Sequence, residues 1–347
     1  MQDFTETIYF GSYTRASSQG IYEASFYQGQ LENIKVLASL KNPTYLALDK
    51  KANRLISVAE LSNKSGLAVI DLLPEHRGEI LSYLEYSDHV PCYVSYDPEN
   101  SLIYTANYHD AILSVLSLGK DGQIHLIDQV QHVGKGPHPN QEKAHIHFAC
   151  PHPFTEGILC CDLGSDLISH YRLDKEMKLT KISDLSLKAG SGPRHLAFHP
   201  QRKVAYLLSE LTSEVTVLPF NLSTSAFQIA SSYSLLPDKW TDFNSGAAIH
   251  LSQDGRFLYA SNRGHNSIVV FSISPDGLSL KKIQCISSGD DFPRDFQLSI
   301  DNHWLICGHQ KGLTRIFKRD PKTGLLKLLP DIYPIPECVC VLPSPLD

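Results

Sequence analysis

A pattern that recurs along most of the chain constrains its fold more strongly than any other feature. Each copy has a short apolar run, a turn with Asp, Pro or Gly, a second apolar run and a closing polar residue, as in residues 90–98 followed by 102–107. Self-similarity at a fixed period marks a repeat architecture. The copies lie 47 to 55 residues apart when aligned on Pro43, Pro91, Ile146, Pro193, Gly246 and Pro293.

The residues within each repeat predict β-strands. A period of this length holds four short strands and their turns, and third strands are visible at residues 112–115, 214–217 and 268–271. No long segment has helical periodicity, and 20 prolines and 21 glycines interrupt the apolar runs. These features predict an all-β fold, the β-propeller.

A seventh blade is predicted from the two ends of the chain. Residues 336–341 repeat the first-strand pattern, whereas residues 8–14 and 20–26 read as partner strands that lack a first strand of their own. Joining strands from both termini would remove exposed sheet edges. We therefore expect residues 1–347 to form a single seven-bladed β-propeller domain.

Composition excludes several classes of protein and partner. A net charge of −6 and a pI near 6.2 argue against nucleic-acid binding, and no apolar run reaches the roughly 18 residues that cross a bilayer. The N-terminus is acidic and lacks a signal-peptide pattern, which favours a cytoplasmic protein. The eight cysteines include no CxxC pair, so they are expected to be free thiols packed as small hydrophobic residues.

Strand order predicts where functional groups gather. The start of one antiparallel strand and the end of the next lie at the same end of the pair, so these positions should share one face at the mouth of a central channel. Arg and His around a Glu would suit a small anionic ligand carrying phosphate or carboxylate. The strand starts contribute His145, His147, Arg194, His195 and Arg294, and the ends of second strands contribute Glu60, Asn107, Asp162, Glu210, Asn262, Arg263 and His309.

Each of these residues also has a structural interpretation. His145 and His147 should share one strand face and could hold a metal, but only Asp162 offers a third ligand nearby, so no metal site and no cofactor is predicted. Arg194 and Arg294 could form rim ion pairs, and Glu210 could bond the backbone of a neighbouring blade. His152 and His199 precede Pro and are expected to form turns.

The chain resembles the seven-bladed-propeller lactonase family, which includes the bacterial cytoplasmic 6-phosphogluconolactonases. The family's motifs match residues 9–14, 144–147, 162–166, 192–200, 254–263 and 292–296. The resemblance implies hydrolysis of 6-phosphogluconolactone to 6-phosphogluconate in the pentose phosphate pathway. It assigns the proposed functional set of the family to His147, with His145 beside it, and to Arg194, Glu210 and Arg263.

Two positions depart from the family pattern. Asn140 stands where the family often has Arg before the His-x-His, so one basic contact is expected to be lost, and Ser209 replaces the usual Asn before Glu210. The predicted reaction uses Glu210 or His147 as a general base and Arg194 or Arg263 to stabilise an oxyanion, without metal. The remaining positions, His145, His195 and Arg294, are predicted to bind substrate.

Two other functions remain open at this point. A carboxymuconate-type lactonizing or isomerising enzyme, which a related fungal branch of the family resembles, would use the same Arg residues for carboxylates. A non-catalytic propeller that binds a protein or sugar ligand would show an apolar or aromatic face instead of one rich in Arg and His.

Overall fold

The computed structural model describes residues 5–345, and its regular elements are almost all β-strands. In this part of the chain two single turns of 3-10 helix, Lys50–Ala52 and Pro74–His76, are the only helical elements. The strands in chain order are β1 (Glu6–Ser12), β2 (Gly20–Tyr27), β3 (Gln30–Ser39), β4 (Leu46–Asp49), β5 (Arg54–Leu61), β6 (Lys64–Asp71), β7 (Ile80–Ser87), β8 (Tyr93–Asp97), β9 (Leu102–Asn107), β10 (Ile112–Leu118), β11 (Ile124–Gln131), β12 (Ile146–Pro151), β13 (Ile158–Asp162), β14 (Leu167–Leu173), β15 (Leu179–Ser186), β16 (Pro193–Phe198), β17 (Val204–Ser209), β18 (Glu214–Asn221), β19 (Ala226–Phe227), β20 (Ser231–Ser234), β21 (Ser245–Leu251), β22 (Phe257–Arg263), β23 (Ser267–Ile273), β24 (Leu280–Ser287), β25 (Pro293–Leu298), β26 (Trp304–His309), β27 (Thr314–Arg319), β28 (Leu326–Tyr333) and β29 (Cys338–Pro345).

Across residues 5–345 these strands form seven antiparallel sheets, and each sheet is one blade of the predicted propeller. Blade 1 has the order β29-β1-β2-β3, and blades 2, 3 and 4 are β4–β7, β8–β11 and β12–β15. In blade 5, β16, β17 and β18 are followed by two short strands, β19 and β20, that both pair with β18. Blades 6 and 7 are β21–β24 and β25–β28. The seven-bladed β-propeller closed by strands from both termini is thus confirmed.

The chain folds into two compact units. The central unit is Leu37–Arg194 and contains blades 2, 3 and 4, whereas the terminal unit runs up to Val36 and from His195 onward and contains blades 1, 5, 6 and 7. The boundaries fall within β3 and β16. Of the predicted site residues, His145, His147 and Arg194 belong to the central unit, and His195, Glu210, Arg263 and Arg294 belong to the terminal unit.

The strand β29 completes blade 1 by pairing with β1. Their antiparallel register places Phe10 opposite Val341 and Gly11 opposite Cys340. On its other edge β1 pairs with β2, where Phe10 lies opposite Tyr22. Because β1 has a partner on both sides, its backbone groups are satisfied and it presents no free edge for association with another chain.

Apolar side chains between neighbouring blades form the core of each unit. In the terminal unit, Val217 of blade 5 packs in one buried cluster with Phe271 of blade 6. In the central unit, Ile56 of blade 2 and Ile103 of blade 3 do the same. The strands therefore bury residues on both faces, as expected for sheets that pack face to face.

Buried tyrosines tie one blade to a turn of the next in the terminal unit. Tyr206 Oη donates to the Gly277 carbonyl and Tyr259 Oη donates to the Gly324 carbonyl, both at 2.9 Å. Both glycines have positive φ, +82° and +75°, a conformation that other residues adopt only with strain. The same contact recurs because the repeat places a Tyr on the second strand of one blade and a Gly in the turn between the third and fourth strands of the next blade.

Most cysteines behave as small buried hydrophobic residues. All eight lie in the described part of the chain and are free thiols, and six of them are buried. The prediction is wrong for Cys285, which is exposed because it lies on β24, the fourth and least buried strand of blade 6.

Residues 5–345 contain no helix that is long and apolar enough to span a bilayer.

Glu6 is a buried carboxyl at the start of β1. It is 1 % exposed, and its two oxygens accept the Ile300 N–H at 3.0 and 3.1 Å. Burial raises the pKa of Glu6 to about 7, and the nearby Asp301 carboxylate adds to the rise, although the Ile300 hydrogen bond opposes it. A carboxyl whose pKa is raised on folding stabilises the fold at low pH and loses that effect as the pH rises through its folded-state pKa.

We therefore expect Glu6→Gln to stabilise the protein at pH about 8 by about 1 to 3 kcal/mol and to change little at pH about 4.5. Gln keeps an oxygen acceptor for Ile300 and carries no charge to bury. Chemical denaturation at both pH values measures the difference, with Glu32→Gln on the exposed face of β3 as the control. An effect of Glu6→Gln that is the same at both pH values would contradict the assignment.

Candidate functional site

β-Bulges occur near the start of the first strand in blades 4, 6 and 7. The pairing shifts at His147 in β12, at Ala247 and Ala248 in β21, and at Arg294 in β25. A bulge adds a residue to one strand and redirects its side chains. His145 precedes β12 and the bulge falls on His147, so the two histidines do not lie on a regular strand as the prediction assumed.

The terminal unit brings Glu210 and Arg263 together. Arg263 ends β22, and its Nη2 lies 2.9 Å from Glu210 Oε2. The same Nη2 donates to Ser245 Oγ at 2.6 Å and to the Gly246 carbonyl at 3.0 Å. The side chains of Arg263 and Glu210 are 7 % and 16 % exposed. An almost buried guanidinium is thus fixed beside a carboxylate that keeps some access to solvent.

Glu210 also takes part in backbone pairing with the neighbouring blade. Its carbonyl accepts the Gly246 N–H at 2.9 Å, which confirms the predicted contact of Glu210 with the backbone of a neighbouring blade. A Cβ at Gly246 would lie 3.0 Å from the Ser209 carbonyl oxygen. Glycine at this position therefore allows β21 to approach closely enough for Gly246 to serve as an acceptor for Arg263.

Arg294 of the terminal unit is half-buried and held by neutral groups. Its Nη1 donates to Gln310 Oε1 at 3.1 Å, and its Cζ lies 5.6 Å from the centre of the Tyr13 ring. Arg15 Cζ lies 3.9 Å from the centre of the same ring. These partners orient the Arg294 guanidinium and leave its positive charge available to an anion, in contrast to the rim ion pair that the sequence left open.

The segment that leads into Arg194 is fixed within the central unit by Asp166. The Asp166 carboxylate accepts the Gly190 N–H at 2.7 Å, the Gly192 N–H at 2.8 Å and the Ser191 hydroxyl at 3.1 Å. Gln141 Nε2 donates to Asp166 at 2.8 Å from the other side. Sequence reasoning assigned Asp166 no role, although it ends one of the family stretches. Arg194 itself and the adjacent His195 are both buried in β16.

His145 and His147 are brought together around Tyr108 in the central unit. The His145 ring stacks on Tyr108 with centroids 4.1 Å apart, and the His147 ring meets Tyr108 edge-on at 5.9 Å. His145 Nδ1 donates to the Tyr108 carbonyl at 2.8 Å, and its Nε2 lies 3.3 Å from Glu142 Oε1. Both histidines are buried. Tyr108 therefore sets the orientation of both rings.

A buried relay of three side chains lies behind His145. Asp162 Oδ2 accepts from His132 Nδ1 at 2.9 Å, and His132 Nε2 accepts the Tyr171 hydroxyl at 2.8 Å. Asp162 Oδ1 accepts the His145 N–H at 2.8 Å. Burial raises the pKa of Asp162, but the hydrogen bonds from His132 and from the His145 backbone outweigh it, so that the pKa is lowered. No motif marked His132, whose partners lie far along the chain.

Other residues that end second strands serve the local turns. Asn107 Nδ2 donates to Asp110 Oδ2 at 2.8 Å, and Asp162 Oδ1 accepts two further N–H groups of its own turn. Burial lowers the pKa of His309 to about 4, so its ring is neutral at physiological pH.

In the chain between residues 5 and 345, no group of three or more His, Cys, Asp or Glu side chains is arranged to hold a metal ion.

Three further histidines form turns. His152 and His199 each accept, through Nδ1, the backbone N–H two residues later at 3.1 Å, which confirms the turn prediction. His138 accepts the N–H of Asn140 in the same way at 3.1 Å. Asn140, which stands where the family often has Arg, is exposed.

We expect His132→Ala to destabilise the protein by about 3 kcal/mol, because it leaves the Asp162 carboxylate buried without its side-chain partner. Chemical denaturation measures the loss. His125→Ala, which removes an exposed histidine of β11, is the matched control and should have little effect. Equal effects of the two substitutions would show that the relay contributes no stability.

Comparison with known proteins relates the chain to lactonases. The family model described as "Lactonase, 7-bladed beta-propeller" matches residues 7–343. A 6-phosphogluconolactonase of Bacillus subtilis is 37 % identical over 96 % of this chain and 97 % of its own length. A solved protein from Lactobacillus plantarum has a TM-score of 0.91 and 36 % identity, covering 98 % of this chain and 99 % of that one. A periplasmic gluconolactonase of Pseudomonas aeruginosa has a TM-score of 0.91 and 25 % identity with the same coverage.

Proposed function

Because this chain belongs to the seven-bladed β-propeller lactonase family, we propose that it hydrolyses 6-phosphogluconolactone, a phosphorylated sugar δ-lactone, to 6-phosphogluconate. Lactone hydrolysis is supported by the family match over residues 7–343 and by the name of the Bacillus relative. The observation in this chain that carries the proposal is the Glu210–Arg263 pair, a partly exposed carboxylate beside a guanidinium whose position is fixed.

The reaction consumes one water molecule. The water oxygen bonds to the lactone carbonyl carbon while a base removes a proton, which gives a tetrahedral oxyanion. The oxyanion then collapses, the bond between the carbonyl carbon and the ring oxygen breaks, and the ring oxygen takes a proton to become a hydroxyl. The product is the open-chain hydroxy acid. The chemistry requires one base and positive groups placed where the oxyanion forms.

Glu210 is the proposed base and Arg263 the proposed oxyanion stabiliser. The two groups are 2.9 Å apart, so a water bound to Glu210 would attack a carbonyl carbon close to the guanidinium. Ser245 and Gly246 hold Arg263 through Nη2, and the Nη1 hydrogens are further donors of the same rigid plane. A donor fixed before the reaction stabilises developing charge without reorganisation. These contacts support both roles.

The other assignments depend on the family motif and on local placement. His147 is the alternative base and Arg194 the alternative oxyanion stabiliser, whereas His145, His195 and Arg294 are proposed to bind substrate. The charge of Arg294, which Gln310 and Tyr13 orient and do not neutralise, suits a phosphate group. The proposed mechanism uses no metal or cofactor, because δ-lactones open slowly in water and positioning with charge stabilisation can supply the acceleration.

The location of the protein remains a prediction. A phosphorylated substrate agrees with the cytoplasmic location expected from the sequence, whereas the similar gluconolactonase of Pseudomonas aeruginosa is periplasmic. The proposal that the substrate is phosphorylated and the proposal that the protein is cytoplasmic therefore depend on each other. Comparing the hydrolysis rates of phosphorylated and unphosphorylated gluconolactone tests the proposed substrate.

We expect purified protein to open 6-phosphogluconolactone faster than the spontaneous reaction, and Arg263→Ala to lower kcat/KM about 100- to 1000-fold. Proton release at constant pH measures the rate, with and without a chelator. Arg256→Ala is the matched control, because Arg256 lies just before the opposite end of the same strand, β22, and is exposed. Wild-type protein that accelerates no lactone would overturn the proposal.

The base is identified by comparing Glu210→Gln with His147→Gln. We expect the first substitution to reduce kcat by about 100-fold or more, since Gln cannot remove a proton from water. The second should change kcat much less. A kcat that survives Glu210→Gln and collapses in His147→Gln would transfer the role of base to His147 and leave the lactonase activity itself in place.

A further inference from the structure

An aromatic pair with one exposed ring lies at the start of blades 6 and 7 in the terminal unit. The rings of Phe243 and Phe292 are stacked, with centroids 6.4 Å apart and an interplanar angle of 14°. Phe243 precedes β21, and Phe292 directly precedes β25. Phe243 is 65 % exposed, so packing within the fold covers only a small part of its ring. Exposed apolar side chains that adjoin one another can mark a ligand-binding site.

The chain segment that carries Phe243 leads directly to a residue that holds Arg263. Phe243 is two residues before Ser245, whose Oγ accepts from Arg263 Nη2 at 2.6 Å. Gly264, the residue after Arg263, has φ +111°, and a Cβ there would lie 2.3 Å from the Phe243 carbonyl oxygen. The backbone of Phe243 therefore packs on the residue that follows the proposed oxyanion stabiliser.

Asn244 fixes the segment between them. Its Nδ2 donates to Ser213 Oγ at 2.7 Å and to Asn262 Oδ1 at 2.9 Å, and its Oδ1 accepts the His265 N–H at 3.0 Å. These three contacts use both ends of the amide. Phe243 is consequently presented on a rigid support, although its ring lies in solvent.

Phe292 is held in a strained conformation. Its φ is +60°, in the left-handed region that a bulky residue rarely adopts. Its N–H donates to Asn266 Oδ1 at 3.1 Å, and its carbonyl accepts the Gln310 N–H at 2.9 Å. Strain of this kind persists only where the surroundings enforce it, and it is concentrated at functional sites.

Positive charge lies against this aromatic pair. Lys311 Nζ is 3.9 Å from the centre of the Phe292 ring, and Arg294 is two residues after Phe292. A surface with an apolar face and adjacent cationic groups is complementary to a small ring that carries an anionic substituent. A phosphorylated sugar lactone has both features, since one face of its ring presents C–H groups.

We propose that Phe243 and Phe292, together with Lys311, form a substrate-binding shelf that determines specificity. The C–H face of the lactone ring packs on the exposed Phe243 ring, and the phosphate lies toward Lys311 and Arg294. The inference rests on the proposed function, because it takes the lactone as the ligand, and it adds Phe243, which lies outside the family motifs, as an aromatic contact.

The test is the effect of Phe243→Ala on hydrolysis of 6-phosphogluconolactone. We expect KM to rise about five- to tenfold, the effect of losing one aromatic packing contact, while kcat stays within about twofold. Phe243→Tyr should restore KM. Leu222→Ala is the matched control, because Leu222 is 59 % exposed in the same unit and follows β18. Thermal unfolding should be unchanged in all three variants.

The outcomes separate the shelf from the proposed function. If wild-type protein hydrolyses the lactone and Phe243→Ala leaves KM unchanged, the shelf is wrong and the function stands. If wild-type protein hydrolyses no lactone, binding of 6-phosphogluconate by calorimetry decides the matter. Binding that weakens at least about fivefold in Phe243→Ala supports the shelf, whereas equal binding by both proteins, or none by wild type, overturns it.

Discussion

The antiparallel pairing of β29 with β1 is the interaction on which the terminal unit depends. It gives β1 a partner on both edges, and the residues just before β29 reach the segment after β1. There the Glu337 carbonyl accepts the Tyr13 N–H at 3.1 Å, and its carboxylate accepts the N–H groups of Arg15 and Ala16 at 3.0 Å. Tyr13 in turn lies against Arg294. The contact that completes blade 1 thus also positions a proposed substrate-binding residue.

Repetition explains why so much of the fold could be predicted. Strand positions follow from alternating apolar residues and from Pro and Gly in turns, which are local signals, and they recur in every blade. The placement of Glu210 just after β17 and of Arg263 at the end of β22 followed from the same logic. Their 2.9 Å separation did not, because it depends on how closely Gly246 lets β21 approach.

The features that the sequence did not reveal depend on contacts between distant segments. The bulge at His147 arises from its register against β13, which the sequence of β12 alone does not specify. His132 lies 30 residues before Asp162, and its role is set only by their approach in the folded chain. Phe243 and Phe292 come from different blades in the same way. A local sequence pattern does not indicate which distant residues will be in contact in the folded chain.

The carboxylates at the ends of second strands differ in the hydrogen-bond and ion-pair partners that they already have. Asp162 accepts three backbone N–H groups and His132, so protonating it would break a buried network. Glu60 is paired with the exposed Lys41, a contact that solvent screens. Glu210 is joined to a guanidinium that is itself fixed by Ser245 and Gly246. The oxygens of the Asp162 carboxylate are thus engaged by fixed N–H donors, whereas Glu210 combines partial exposure with a rigid positive neighbour, which supports its proposed role as the base.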